Sequence, residues 1–181
     1  MSTPRRPRLL ARPLFLLSLL ALGCAGGKSS APAVSPSIPT PAGTAAPVSR
    51  MGVWSVDLVE GRGALLESGQ CAYVHYTGWL AESGKQFETS RDTLRSDGGP
   101  PFVFPLGAKQ AIAGWELGLK GMRIGGKRRL IIPPALAYGA KGNPPVVPPR
   151  ASLVFDIELV GLATPTAKAT VGKPPRCPAW G

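Results

Sequence analysis

The chain has 181 residues, of which 44% are hydrophobic and only 17% charged, which bounds it to one ordinary domain plus tails. Its formal charge of +11 points to an anionic partner only until the charges are located: all ten acids lie between Asp57 and Glu158, where residues 51–160 carry twelve Lys and Arg against them. The excess basicity therefore belongs to the two ends, and nucleic-acid binding is disfavoured as a function class.

At the N-terminus, Arg5, Arg6, Arg8 and Arg12 precede PLFLLSLLALG, an apolar run too short to span a bilayer with ease and followed directly by Cys24. This is a secretory signal. Leu20-Ala21-Leu22-Gly23-Cys24 resembles the bacterial lipobox, which would make residues 1–23 a lipoprotein signal peptide and Cys24 the lipidated residue. An ordinary signal cut near Ala25 or Gly26 is the alternative. With the lipid, the chain is expected to be exported and membrane-anchored, on the periplasmic side or at the outer membrane.

Residues 24–50 are dominated by Ala, Pro, Ser, Gly and Thr, and read as a tether with too little apolar surface to offset its ordering entropy. From residue 51 to 162 the periodicity becomes that of strands. VWSVDLV at 53–59 alternates, CAYVHYTGWL at 71–80 is aromatic and β-branched, and KRRLIIP at 127–133 ends apolar. In SLVFDIELV at 152–160, Leu153, Phe155, Ile157 and Leu159 share one side. Alternation predicts an antiparallel sheet with one buried and one wet face, so His75 and the run Lys127-Arg128-Arg129 are expected to be solvated.

One helix is predicted, from about Lys109 to Leu119, with Ile112, Trp115 and Leu119 on one stripe. Gly114 and Gly118 each weaken it by up to about 1 kcal/mol relative to Ala, so packing must hold it. The fold class is α+β, a curved antiparallel sheet of about five strands wrapped around one short helix. Residues 163–181 read as a disordered tail in which Cys177 is a stray thiol or a bridge to a partner, while Cys71 reads as a small buried side chain. A Cys71–Cys177 bridge is conceivable if Cys24 carries lipid, but nothing in the spacing supports it. Three scattered Cys and one His offer no metal site, and no cofactor is called for.

The aromatic residues of VHYTG at 74–78, AGWELGL at 113–119, AYG at 137–139 and LVFDIEL at 153–159 have no plausible catalytic acid, base or nucleophile beside them. That pattern suits an apolar pocket. These blocks, with GKQFETSRD, PFVFPLG, KGMRIGGKRRLIIPPALAYGAKG and VVPPRASLVFDIEL, resemble the FKBP-type peptidyl-prolyl cis-trans isomerases from about Gly52 to Leu162, whose larger members include secreted bacterial lipoproteins.

The resemblance implies a pocket floored by Trp115 and walled by Tyr76, Phe87, Phe102, Phe104, Ile112, Tyr138, Val146, Val147 and Phe155. The backbone N–H of Ile112 and the phenol of Tyr138 would hold peptide carbonyls. Expected partners are proline-containing segments of unfolded exported proteins and tacrolimus- or rapamycin-like inhibitors. A chaperone or peptide-binding module using the same pocket is the other function class. Departures from the family pattern are Glu88 in place of Asp, Gln110 and Ala111 at the helix opening, Asn143, and Val146-Val147 in place of a bulkier pair. They imply a wider mouth with activity retained, and Glu88 is expected near Tyr76 or Arg91. The loop 93–101 is longer than in the smallest members.

Overall fold

The computed structural model describes residues 32–39, 47–91, 98–167, 170 and 173–181. The expected signal peptide, Cys24, much of the expected tether and residues 92–97 of the long loop lie outside the described residues.

Seven strands form one antiparallel sheet: β1 (Val48–Arg50), β2 (Val53–Val59), β3 (Cys71–Leu80), β4 (Gln86–Thr89), β5 (Phe102–Pro105), β6 (Lys127–Ile132) and β7 (Leu153–Ala163). Their order is β1-β2-β6-β7-β3-β4, and β5 shares with β4 the outer edge of β3. Two strands exceed the expected five because that edge is divided and because the last tether residues are structured. β1 and β2 are joined by Met51 and Gly52, both at positive φ (47° and 87°), the backbone that matches a two-residue hairpin to strand twist.

Register shifts at Asp57/Val59 in the β2–β6 pair and at Tyr73/Val74 in the β3–β7 pair each place an extra residue on one strand. Such bulges increase twist and bend the strand, curling the sheet around α1 (Ala113–Gly118). The helix is shorter than predicted. Lys109 takes a left-handed backbone (φ 57°), and Ile112 is still extended as the N-cap, so helical geometry begins only at Ala113. Gly114 and Gly118 are explained by proximity: a Cβ on Gly114 would lie 2.4 Å from Ile132 Cγ2, and one on Gly118 2.7 Å from Leu130 Cδ1. Their lost propensity is exchanged for backbone-to-side-chain contact with β6. Trp115 and Leu119 are thereby driven into a core with Val74, Phe104, Leu130, Ile132, Phe155 and Ile157.

The outer face is drier than alternation predicts. Ile38, from the expected tether, is buried with Ala81, Ile131 and Val154 against Trp54 and Trp79. Arg129, expected to be solvated, is 4% exposed; it grips Asp156 through two hydrogen bonds (2.5 and 2.7 Å) and donates to the Pro39 carbonyl (2.6 Å). Arg128 makes the same bidentate contact with Asp57. Both ion pairs join residues directly opposite on neighbouring strands, where side chains meet.

His75 is likewise buried. Its Nδ1 is 3.2 Å from Ser90 Oγ, and that hydroxyl accepts the Tyr76 N–H at 2.7 Å. Burial first, then the Arg91 charge, pushes the imidazole pKa below its ordinary value, with Glu158 opposing.

The described residues of 163–181 make contacts that composition does not reveal, where a disordered tail with a stray thiol or a bridge to a partner is expected. Cys177 is disulfide-bonded to Cys71 on β3, the Tyr73 hydroxyl donates to the Pro178 carbonyl (2.7 Å), and the Trp180 ring lies 5.1 Å from that of Tyr73. Thr166 and Ala167 exchange backbone hydrogen bonds with Arg176. A covalent link and one aromatic anchor replace the apolar area that this segment lacks.

The bridge closes a loop with a sequence separation of 106 residues, so reduction is expected to lower unfolding stability by about 2–4 kcal/mol. Urea unfolding with and without reductant measures this, and Cys177→Ser should reproduce the loss and remove the response to reductant.

Candidate functional site

The curl of the sheet leaves an opening between its concave face and α1. Tyr76 arrives on β3, Glu88 on β4, Phe102 on β5 and Phe155 on β7, while the turn ahead of α1 brings Gln110, Ala111 and Ile112. Tyr138 follows the 3-10 turn Pro134–Leu136. With Trp115 these residues line a cavity of about 400 Å³, open to solvent on one side. That is within the range of small-molecule sites, about 300–1,000 Å³.

Trp115 is the floor. Around its ring stand Tyr76 (5.0 Å between centroids), Phe155 (5.2 Å), Phe104 (5.8 Å) and Phe102 (6.0 Å). Tyr76, Phe155 and Phe102 meet it edge to face, the arrangement that aligns positive ring edges with a negative ring face. Gly78 in VHYTG has a steric reason: a Cβ there would sit 2.7 Å from Phe155 and 2.8 Å from Phe87. No bulkier residue on β3 admits both rings. The Trp115 Nε1–H is buried without an acceptor among the described residues, a cost a native fold seldom retains.

Of the residues implied by resemblance, four do not line the cavity. Phe104 is buried beneath Trp115, and Phe87 stands behind Phe155 with ring centroids 5.7 Å apart. Val147 exchanges two backbone hydrogen bonds with Asn143 and is buried in the core, so its neighbour Val146 is turned out to 47% exposure. Val146 belongs to the turn, residues 144–146, that this pairing closes. Conversely, Gln110 lines the cavity, a role that its place in the turn beside Ala111 and Ile112 signals only once the helix start is known.

Two hydrogen-bonding groups are unengaged. Neither the Ile112 N–H nor the Tyr138 hydroxyl has a partner among the described residues. Glu88 is the carboxylate of the lining, and it serves Tyr76 while Arg91 pairs with Glu158 on β7. Burial raises the Tyr76 phenol well above its ordinary pKa, and the Glu88 hydrogen bond and charge raise it further. Tyr138 is raised by burial and then by Glu88. Both phenols therefore remain neutral donors through the physiological range.

For a phenol whose folded pKa lies above its unfolded value, the stability contribution is complete below about pH 10 and is lost as pH climbs through the folded value. Unfolding free energy should accordingly decline above about pH 10. In Glu88→Gln the Tyr76 titration, read as the phenolate absorbance missing from Tyr76→Phe, should move down towards the ordinary value without reaching it, because burial persists.

The comparisons agree with this geometry. The family profile of FKBP-type peptidyl-prolyl cis-trans isomerase matches residues 63–160. The 46 kDa FK506-binding nuclear protein of Spodoptera frugiperda is 44% identical over 108 residues, covering 60% of this chain and 25% of that protein. The FK506-binding protein of Neisseria meningitidis serogroup A is 45% identical over 104 residues, covering 58% of this chain and 90% of the relative. A crystal structure of a peptidyl-prolyl cis-trans isomerase from Pseudomonas syringae pv. tomato superposes with a TM-score of 0.54 at 33% identity, covering 63% of this chain and 77% of the other. The chain spans only about a quarter of the first two curated relatives, 25% and 27% of their lengths. With more than half its length matched by the profile, and the curved sheet, short helix and aromatic cavity in place, the chain belongs to the FKBP-type peptidyl-prolyl cis-trans isomerase family.

Proposed function

We propose that this chain catalyses cis-trans isomerisation of X–Pro bonds in exported proteins as they fold. One observation carries the reading: an open apolar cavity floored by an indole, with a backbone N–H and a phenol unengaged at its lining.

Rotation about an X–Pro bond is slow, about tens to hundreds of seconds, because planarity carries amide resonance and the barrier is about 18–20 kcal/mol. A quarter turn removes that resonance and part of the charge separation between oxygen and nitrogen. Water solvates the planar, more polar ground state best, so a dry enclosure favours the twisted form. The prolyl ring lies on Trp115 between Tyr76 and Phe155, and the Ile112 N–H and Tyr138 hydroxyl hold peptide carbonyls while the bond turns. A thousandfold acceleration needs about 4 kcal/mol of differential stabilisation, within reach of desolvation and two aimed hydrogen bonds. No group changes protonation.

The purified chain should accelerate exchange of a short peptide with an apolar residue before Pro, with a flat profile across neutral pH, and tacrolimus should block it. Tyr138→Phe should lower kcat/KM about 2- to 10-fold with an unchanged circular dichroism spectrum. Absence of any rate effect, with tacrolimus still bound, would instead identify a binding module.

The proposed location is a membrane, through lipid on Cys24. Support comes from the basic and apolar leader with its lipobox-like ending, and from a disulfide, which persists in oxidising compartments. Cells labelled with a palmitate analogue should yield a labelled chain, and Cys24→Ser should abolish the label. A labelled serine variant overturns the anchor.

A further inference from the structure

Beside the prolyl pocket the chain builds a second concavity from its own C-terminal segment. A cleft of about 500 Å³ lies between the outer face of β5, where Val103 and Pro105 supply an apolar floor, and the segment Lys173 to Cys177. Gln110 lines both this cleft and the prolyl cavity, so one side chain separates them. Phe102 faces the cavity and Val103 the cleft, as successive strand residues must, and a peptide joining the two crosses the rim of β5 at Gln110.

The far wall is cationic. Lys173 and Arg176 are exposed, the cleft has no carboxylate in its lining, and neither cation is paired with one among the described residues. This contrasts with Arg128 and Arg129, whose guanidinium groups are each committed to an aspartate. The wall is also preformed. The Cys71–Cys177 bond, the Tyr73 contacts to Pro178 and Trp180, and the backbone bonds of Arg176 and Lys173 within the segment hold it. A ligand meeting a fixed wall does not bear the cost of ordering it.

We propose that this cleft is an extension of the substrate groove that takes an Asp or Glu side chain a few residues from the proline of an extended peptide. Lys173 and Arg176 supply the charge, and the prolines and β5 carry the peptide's apolar stems. The inference rests on the prolyl cavity being the substrate site, and it makes the C-terminal segment a specificity element of the same reaction.

The test uses the full chain and two fluorescently labelled peptides of about a dozen residues, sharing one X-Pro core and differing only in flanking Glu or Gln. Both binding and isomerisation are measured. Two exposed ion pairs predict about three- to tenfold tighter binding and higher kcat/KM for the Glu peptide, a ratio that shrinks as salt is raised. In Lys173→Glu/Arg176→Glu the ratio should fall to one or invert. Should the reversal disturb the adjacent disulfide, read by thiol titration, Lys173→Glu alone carries the test with a smaller change. Equal treatment of the two peptides by the wild type, or a Glu preference that survives the reversal, overturns the proposal. A Glu preference in binding that the reversal removes, without any acceleration, sinks the isomerase reading and leaves the cleft standing.

Discussion

The close approach of α1 to β6 is the constraint on which the rest depends. Because Gly114 and Gly118 have no Cβ, the helix backbone rests directly on Ile132 and Leu130. At that distance the Trp115 ring has one place to go, the hollow of the curled sheet, where four aromatic rings receive it. A helix of six residues has no independent stability in water, since its nucleation cost is unrecovered over so few hydrogen bonds. Packing alone decides that it exists, and the same packing builds the floor of the cavity. Stability and site are one set of contacts here.

The proposed chemistry asks little of such a site beyond shape and dryness. Both tyrosines remain neutral, held so by burial and by the Glu88 charge. The polar groups that matter are oriented donors rather than proton carriers. Glu88, one methylene longer than the family's usual aspartate, still acts on Tyr76, while Arg91 pairs with Glu158 on β7. Behind Tyr76, Ser90 fixes the backbone and packs against His75, so the position of one cavity wall is set partly from the opposite side of the sheet.

Much of this was legible in the sequence. Alternation located β2 and β7, aromatic and β-branched content located β3, an apolar ending located β6, and the stripe of Ile112, Trp115 and Leu119 located the helix. What failed did so for specific reasons. The helix was begun four residues too early because propensity does not register the left-handed backbone at Lys109. Val146 and Val147 were read as walls because resemblance transfers positions, whereas facing depends on the local pairing of Asn143 with Val147. The outer face was read as wet although Tyr73, Trp79, Ile131 and Val154 were visible on it. Their covers, Ile38 and Trp180, lie in segments whose composition resembles disordered chain, and a few anchors among many small residues leave no periodic signal.

The tie between the middle strand and the far end of the chain also changes what damage means for this molecule. Several of its loops, among them the proline-rich 139–149 and the one that follows Arg91, fall between the two bridged cysteines in sequence. A single proteolytic nick in any of them yields two fragments that remain one covalent particle, each still seated on the other through β3 and β7. For this molecule, cleavage and loss thereby become separate events.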